Sequence, residues 1–145
     1  MHPDIRQIEI ENDKFSPIVL ECLLFTQGIN FPQGYRLEKR YVYDYEIEYF
    51  LYSTGGMMIE GNEYPVRTGD IVFRRPGQLV QGIMPYKCYL ICFDLLGNTG
   101  KSPHLYDFSK EQEFQDYYIN PVLDAIPHVF HNPYEERYHK IFDRY

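Results

Sequence analysis

Residues 41–94 constrain the fold of this chain more than any other stretch. They open with a tyrosine-rich segment of alternating residue types, 41–52, which is followed by a Gly55-Gly56 turn. A hairpin-type sequence comes next at 60–63, and then a Gly-Asp pair and a Pro-Gly pair bracket the apolar and basic residues of 69–77. Short alternating segments separated by turn residues are typical of a β-sandwich or a barrel.

The composition agrees with a β-rich body. The chain is 44% hydrophobic, and its 15 Tyr and 10 Phe residues favour pleated, half-buried surfaces. A length of 145 residues predicts a single domain with its own core. We predict a mobile N-terminal arm at 1–17, a barrel at 18–100 and a helical segment at 101–145. The predicted strands are 18–26, 35–43, 45–53, 57–60, 64–67, 71–75, 78–84 and 87–95.

Two helices are predicted after the strands. Residues 109–112 fit a capping box, and the helix that they open is expected to end near Pro121. Asn132-Pro133 is a second start signal, with Asn as the N-cap and Pro at the first helical position. An apolar stripe at helical spacing then follows, formed by Tyr138, Ile141, Phe142 and Tyr145. This stripe is the predicted dimer interface, and packing against the chain's own barrel is the alternative.

Charge and cysteine content exclude several classes of function. The formal net charge is −7 and the basic residues are scattered, which argues against binding of a nucleic-acid backbone by this segment alone. Cys22, Cys88 and Cys92 lack the close spacing of a metal site, and we interpret them as free thiols in a reducing compartment. The sequence shows no signal peptide and no apolar run of about 18 residues. It therefore predicts a soluble, cytoplasmic protein.

The segment 40–52 has two chemically different faces, because side chains alternate along a strand. The even-numbered face carries Arg40, three carboxylates and apolar groups, whereas the odd-numbered face is almost wholly apolar and aromatic. If the even face looks into the barrel, its carboxylates must be paired or hydrogen-bonded, because unpaired buried charge is costly. Arg40 is then the expected partner of Asp44. The alternative is that the even face lies in water and the aromatic face forms the core.

The spacing of the turn residues is similar to that of cupins, a family of small jelly-roll barrels. Metal-binding cupins hold three histidines and a glutamate in this stretch. When the motif glycine of metal-binding cupins is aligned with Gly55, the histidine positions fall on Val42, Asp44 and Val80, and the glutamate position falls on Glu48. Valine cannot bind a metal, and two oxygen ligands are fewer than a dedicated divalent site needs. We therefore predict neither a metal site nor a cofactor.

A wider set of landmarks spans residues 18–145: the strand 48–52, Gly55, Gly61, Tyr64-Pro65, Gly69-Asp70, Pro76-Gly77 and the strand end Phe93-Asp94. Together they resemble the N-terminal effector-binding and dimerisation domain of AraC/XylS-family transcription regulators. The resemblance implies a mainly β fold, a cupin-type jelly-roll barrel followed by two C-terminal α-helices. It also implies a homodimer, and DNA binding only through a helix-turn-helix domain beyond residue 145. In the family's arabinose sensor a Thr and an Arg on the sheet contact the sugar, and Thr26 and Arg40 stand at similar places in this chain.

The sequence thus predicts that a small polar effector, such as a sugar, binds inside the barrel and that the domain is not an enzyme. The predicted ligand-binding residues are Thr26, Arg40, Asp44, Glu48, Tyr52, Gln78, Val80 and Tyr89. Tyr52 or Tyr89 is expected to stack on a sugar, because the chain contains no Trp. One alternative is a metal-independent cupin enzyme, a sugar isomerase or epimerase, with Glu48 as the base and one of these tyrosines as its partner. Another is a dimerisation module whose barrel is filled by its own side chains.

Overall fold

The computed structural model describes residues 1–131, which fold mainly as β-strands. The chain runs through nine strands, an irregular segment, and then a short strand, one helical turn and a last strand. The elements are β1 (Gln7–Glu9), β2 (Ile18–Phe25), β3 (Arg40–Tyr41), β4 (Tyr45–Ser53), β5 (Gly56–Ile59), β6 (Asn62–Pro65), β7 (Ile71–Arg74), β8 (Leu79–Ile83), β9 (Tyr86–Asp94), β10 (Tyr117–Ile119), α1 (Pro121–Asp124) and β11 (Val129–Phe130). The predicted strand positions between 18 and 95 are confirmed to within a few residues, except that only Arg40 and Tyr41 of the predicted strand 35–43 form a strand.

The strands β2 to β9 form two antiparallel sheets with nested pairing. The large sheet has the order β11-β7-β4-β9-β2, and the small sheet has the order β3-β8-β5-β6. The first of the eight strands pairs with the last, β2 with β9, and the next pair inward is β3 with β8. Inside these lie β4 with β7 and β5 with β6. This nesting is the strand order of a jelly roll, the double-sheet architecture that cupins share, so the predicted fold is confirmed at this level.

The innermost hairpin shows how local sequence selects this topology. Strands β5 and β6 are joined by Glu60-Gly61, and both residues have positive φ, 52° and 82°. Two consecutive residues of positive φ are the requirement of a type I′ turn, whose twist matches that of the flanking strands. Glycine adopts this conformation at no steric cost, which explains its place at the second position. The predicted hairpin at 60–63 is therefore confirmed.

Both faces of the large sheet are buried over its central strands. The face toward the small sheet forms the inner core, and the opposite face is covered by the N-terminal arm and by the chain from β10 to β11. The inner core is built on Val42, Phe50, Met57, Ile59, Val66, Val72, Val80, Met84, Tyr86 and Cys88. The outer core is built on Tyr45, Phe73, Leu95, Tyr118 and Leu123, with Ile8, Ile10 and Phe15 of the arm packed against it. The two alternatives for strand 40–52 are thus both partly right, because its even-numbered carboxylates are buried and so are Tyr45 and Tyr49 of its aromatic face.

The arm, residues 1–17, is held against the body in this structure. Strand β1 pairs in parallel with β10, and the amide of Ile10 donates to the carbonyl of Ile119. The N-terminal ammonium lies 2.7 Å from Glu60 Oε2, and the amide of His2 donates to the carbonyl of Gly77. These contacts give the arm its covering position over the outer core.

The prediction of a helix that begins at 109–112 is wrong. The Ser109 hydroxyl donates to Asp107 Oδ1 at 2.6 Å and closes a local turn instead of capping a helix. Residues 101–116 form neither helix nor strand and are held by bonds to the barrel, so tertiary contacts override the local capping signal. Between 101 and 131 the only α-helix is α1, capped by Asn120, whose Oδ1 accepts from the amides of Val122 and Leu123. The second predicted helix and the predicted dimer interface at Tyr138, Ile141, Phe142 and Tyr145 lie outside the described residues.

Within residues 1–131, no helix has the length and apolar character needed to cross a membrane.

Candidate functional site

A cavity of ≈ 330 Å³ lies between the two sheets. Its walls are mostly apolar, and a small number of charged and polar groups lie among them. Cavities of this size and composition are typical of small-molecule sites in proteins. The residues that line it are Leu23, Phe25, Leu37, Glu38, Arg40, Glu48, Arg74, Val80, Gln81, Gly82, Tyr86, Cys88, Leu90 and Phe108.

Two arginines line the cavity, Arg40 and Arg74, and both pair with Glu46, which is almost fully buried behind the lining. Arg40 donates from both terminal nitrogens to the two carboxylate oxygens of Glu46, at 2.9 and 2.6 Å. On the other side, Arg74 Nη2 lies 2.9 Å from Glu46 Oε1. The fork of Arg40 matches the carboxylate in both distance and shape, which is the strong form of an ion pair.

A second carboxylate completes the cluster. Glu48 is in direct contact with Arg74, and its other oxygen accepts from the Cys88 thiol at 3.1 Å. Strand alternation explains the arrangement, since Glu46 and Glu48 lie on the same face of β4, and β7 places Arg74 opposite Glu46 in register. Two arginines and two glutamates therefore form a buried ion cluster, Arg40–Glu46–Arg74–Glu48, in which the formal charges cancel.

The ionisation of these groups follows from burial and from their neighbours. Burial opposes the ionisation of Glu46, but Arg40 and Arg74 outweigh it and hold the pKa of this carboxyl below its ordinary value. Burial also lowers the pKa of the Arg74 guanidinium, against the attraction of Glu46. The Cys88 thiol shows the effect of burial most simply, because burial raises its pKa to about 12 although Arg74 lies nearby. At neutral pH this thiol is protonated, which leaves it a hydrogen-bond donor and a poor nucleophile.

We expect the substitution Glu46→Gln to reduce the acid sensitivity of the fold. The pKa of Glu46 lies below its ordinary value of 4.5 in the folded protein, so its ionised form stabilises the fold above that pH. This stabilisation is lost as the pH falls through the folded pKa. The wild type should therefore exceed Glu46→Gln in free energy of unfolding most strongly near neutral pH, with a difference that shrinks below pH 4.5. Urea denaturation across this range measures the difference, with exposed Glu63→Gln as control. If the difference in free energy of unfolding between the wild type and Glu46→Gln does not depend on pH, Glu46 is not the ionised, paired carboxylate described here.

Tyr86 places a hydroxyl in the cavity without a hydrogen-bond partner among the described residues. Its side chain is 4% exposed, and its ring packs against Phe25 and Phe50 at centroid distances of 5.7 and 4.9 Å. The ring reaches this position because Gly82 on β8 has no side chain: a Cβ there would lie 2.3 Å from the Tyr86 hydroxyl oxygen. Burial raises the pKa of Tyr86, so the hydroxyl keeps its proton and remains a donor.

Asp44 belongs to a different cluster from the one that was predicted. It is fully buried and accepts from Lys101 Nζ at 2.8 Å, from the Tyr106 hydroxyl at 2.7 Å and from Gln115 Nε2 at 2.9 Å. The predicted Arg40–Asp44 pair is therefore wrong. The chain passes from the small sheet to the large sheet between Arg40 and the start of β4, so the alternation of a single strand does not extend across this crossing.

The three partners of Asp44 lie on residues 101–116, which we name the strap. Asp44 anchors the strap to the barrel, and the amide of Phe108 adds a bond of 3.2 Å to Glu21 Oε2. The Phe108 ring lines the cavity and lies 4.9 Å from the Arg40 guanidinium carbon, in a cation–π contact. The strap thus supplies one wall of the cavity.

Three of the eight predicted ligand-binding residues line the cavity: Arg40, Glu48 and Val80. The remaining five, Thr26, Asp44, Tyr52, Gln78 and Tyr89, lie elsewhere. Tyr52 is 44% exposed, because an irregularity in the pairing of β4 with β9 after Phe50 breaks the alternation.

The other positions outside the cavity have equally local causes. Thr26 is exposed at the end of β2. Tyr89 alternates with the cavity residues Cys88 and Leu90, and its side chain therefore lies on the opposite face of β9. Gln78 is buried in a turn, where its Oε1 accepts from the amide of Arg75 at 2.7 Å. Neither tyrosine proposed as the catalytic partner of Glu48 thus lines the cavity with it.

Sequence reasoning missed Arg74, Tyr86 and Phe108. A signal for Arg74 was present, because it lies two residues after Val72 on a short strand and must share its buried face. Tyr86 follows the Met84-Pro85 pair, and no sequence pattern indicates that it lines the cavity. Phe108 reaches the cavity from a segment that is distant in sequence from the barrel strands. Residues 1–131 contain no group of three or more His, Cys, Asp or Glu side chains placed to hold a metal ion.

No protein-family model matches this sequence, and no curated protein matches it. The structure is similar to a Cupin 2 conserved barrel domain protein from Salinispora arenicola, at 16% identity over 60% of this chain and 81% of that one, with a TM-score of 0.40. It is similar to EutQ of Clostridium difficile at 18% identity over 60% and 73% of the two chains, with a TM-score of 0.37. It is also similar to a mutant of Bacillus subtilis oxalate decarboxylase at 15% identity over 68% and 38%, with a TM-score of 0.38.

The prediction that the domain is not an enzyme is wrong. Oxalate decarboxylase, which its name identifies as an enzyme, is among the similar structures.

Proposed function

We propose that this jelly roll is the small-molecule-binding domain of a transcription regulator of the AraC/XylS type, which acts as a homodimer. The observation that carries the binding part of the proposal is the cavity between the sheets. Its walls are apolar, and its polar groups are rigidly placed by the ion cluster and by the packing of Tyr86. Rigid polar groups in an apolar cavity are what a binding site needs in order to orient a ligand.

The cavity also favours binding over a purely structural role. Interiors of proteins are packed with few voids larger than a water molecule. A dimerisation module has no use for a pocket of ≈ 330 Å³ between its sheets, and filling it with side chains would bury more apolar surface. The regulator part of the proposal rests on the sequence landmarks between residues 18 and 145.

We expect Leu23→Trp to abolish ligand binding and Leu24→Trp to preserve it. The two residues are neighbours on β2, but Leu23 lines the cavity whereas Leu24 is exposed on the opposite face. An indole at position 23 therefore occupies ligand space, and the same indole at position 24 extends into water. The experiment is a thermal-shift screen of the wild type against small metabolites. A ligand at one hundred times its Kd should stabilise the domain by about 2.7 kcal/mol, a rise in Tm of several degrees.

The screen is then repeated with both variants. A ligand that stabilises the wild type and Leu24→Trp, but not Leu23→Trp, supports binding in this cavity. The proposal fails if no compound in a broad library stabilises the wild type, or if both tryptophan variants respond equally.

The regulator part is tested separately, on the coding sequence that follows Tyr145. Two helix-turn-helix patterns there support a DNA-binding partner domain. A stop codon directly after Tyr145 would overturn the regulator assignment and leave the binding proposal in place.

A further inference from the structure

We infer that the ligand is an uncharged, largely apolar molecule whose polar end is a hydrogen-bond acceptor for the Tyr86 hydroxyl. This inference rests on the proposed function and concerns the same cavity. Three observations carry it: the charge balance of the ion cluster, the hydroxyl donor in the cavity that lacks a partner, and the apolar walls.

The charge balance excludes a charged ligand. Arg40 and Arg74 are the cations of the cavity, and both are already paired with Glu46 and Glu48. An anion or a cation that entered would be a buried charge without a counterion, which is strongly unfavourable. The one further charged residue of the lining, Glu38, is exposed and adds negative charge near the opening, which disfavours anions further.

The unpaired hydroxyl of the cavity is a donor. The Tyr86 hydroxyl has no hydrogen-bond partner among the described residues, and this residue is 4% exposed. A donor that lacks an acceptor is unfavourable, so a ligand that supplies an acceptor gains affinity, by about tenfold.

The walls decide against a sugar. Leu23, Phe25, Leu37, Leu90 and Phe108 surround the few polar groups, and Gln81 is already occupied because its Nε2 donates to the carbonyl of Leu37 at 2.8 Å. A pentose or hexose would bury several hydroxyls against these side chains without partners, at a cost for each of them. One carbonyl or ether oxygen on an apolar body suits the same surface. The effector predicted from the family resemblance, a small polar molecule such as a sugar, is therefore replaced in this proposal.

Four probe molecules test the inference, and acetophenone is the reference to which the other three are compared. Acetophenone has an aromatic body and one uncharged acceptor, ethylbenzene lacks the acceptor, benzoate replaces it with a charge, and arabinose is a polyol. Binding to the wild type and to Tyr86→Phe is measured by chemical-shift titration. Tyr86→Phe keeps the ring and its packing on Gly82, so the variant should fold as the wild type does.

We expect the wild type to bind acetophenone more tightly than the other three probes. Tyr86→Phe should weaken acetophenone by about tenfold and leave ethylbenzene unchanged. Benzoate or arabinose binding in this cavity as tightly as acetophenone would overturn the inference and leave the proposed function intact. Equal affinity of acetophenone for the wild type and Tyr86→Phe, or its failure to bind at millimolar concentration, would overturn the inference as well.

Discussion

Replacement of Arg74 by Met should lower the free energy of unfolding by about 3–5 kcal/mol, the range measured when one partner of a buried ion pair is removed. Arg74 is 3% exposed and contacts both Glu46 and Glu48. Glu46 keeps Arg40 in the variant, but Glu48 loses its counterion and, among residues 1–131, retains only the Cys88 thiol as a donor. The uncompensated carboxylate is the physical reason for the loss. Urea denaturation at neutral pH measures it.

A double variant and a surface control separate charge from packing. In Arg74→Met with Glu48→Leu both partners are apolar, and buried pairs replaced in this way are often neutral in stability. The double variant should therefore recover most of the loss. Arg36→Met removes an arginine whose pair with Glu63 is exposed on both sides, and it should cost no more than about 1 kcal/mol. A loss for Arg74→Met as small as that for Arg36→Met would contradict the role of the ion cluster.

Asp44→Ala should release the strap and lower the free energy of unfolding by about 3 kcal/mol, because a buried charged acceptor with three donors is removed. Lys101, Tyr106 and Gln115 all donate to this one carboxylate, so their shared anchor is lost at once. Hydrogen exchange of the amides of 101–116 should become faster than in the wild type, while the strands of the small sheet keep their protection. Asp107→Ala is the matched control, since Asp107 is an acidic residue of the same segment whose side chain, within the described part of the chain, bonds only to Ser109.

Hydrogen exchange decides the result for Asp44→Ala. Unchanged protection of 101–116 would show that other contacts hold the strap. Faster exchange in the control as well would show that the strap responds to any loss of charge. Since Phe108 of the strap is a wall of the cavity, release should also open the cavity to solvent and speed the exchange of a bound ligand.

The parts of the fold set by local chemistry were predictable from the sequence. Alternation located the strands of the barrel, and Glu60-Gly61 located the innermost hairpin. The helix expected from 109–112 failed for a physical reason. A capping box indicates where a helix can start, but Tyr106 and Gln115 gain more from their bonds to Asp44 than a short helix would offer.

The site was predictable only where it depends on strand alternation. Glu48 and Val80 line the cavity as the alignment with cupins implied, and Arg40 reaches it from β3. The partners of Arg40 and Asp44 were not predictable. Arg40 on the small sheet pairs with Glu46 on the large sheet, and Asp44 bonds to residues that are 57 to 71 positions away in the chain. Tyr86 depends on a close approach to Gly82 that no pattern in either segment announces.

The burial of both faces of β4 has a consequence for how this strand finds its place during folding. A strand with one solvent-exposed face is fixed in register by hydrophobic burial, since a register shift of one residue would exchange its apolar and polar faces. In β4 the odd-numbered Tyr45 and Tyr49 and the even-numbered Phe50 are all buried. Apolar burial therefore discriminates poorly between the native register and a register shifted by one residue. A slip would instead carry Glu46 and Glu48 into an aromatic layer and leave Arg74 without a counterion. Pairing of charged side chains, and not hydrophobic burial, therefore selects the register of the central strand β4.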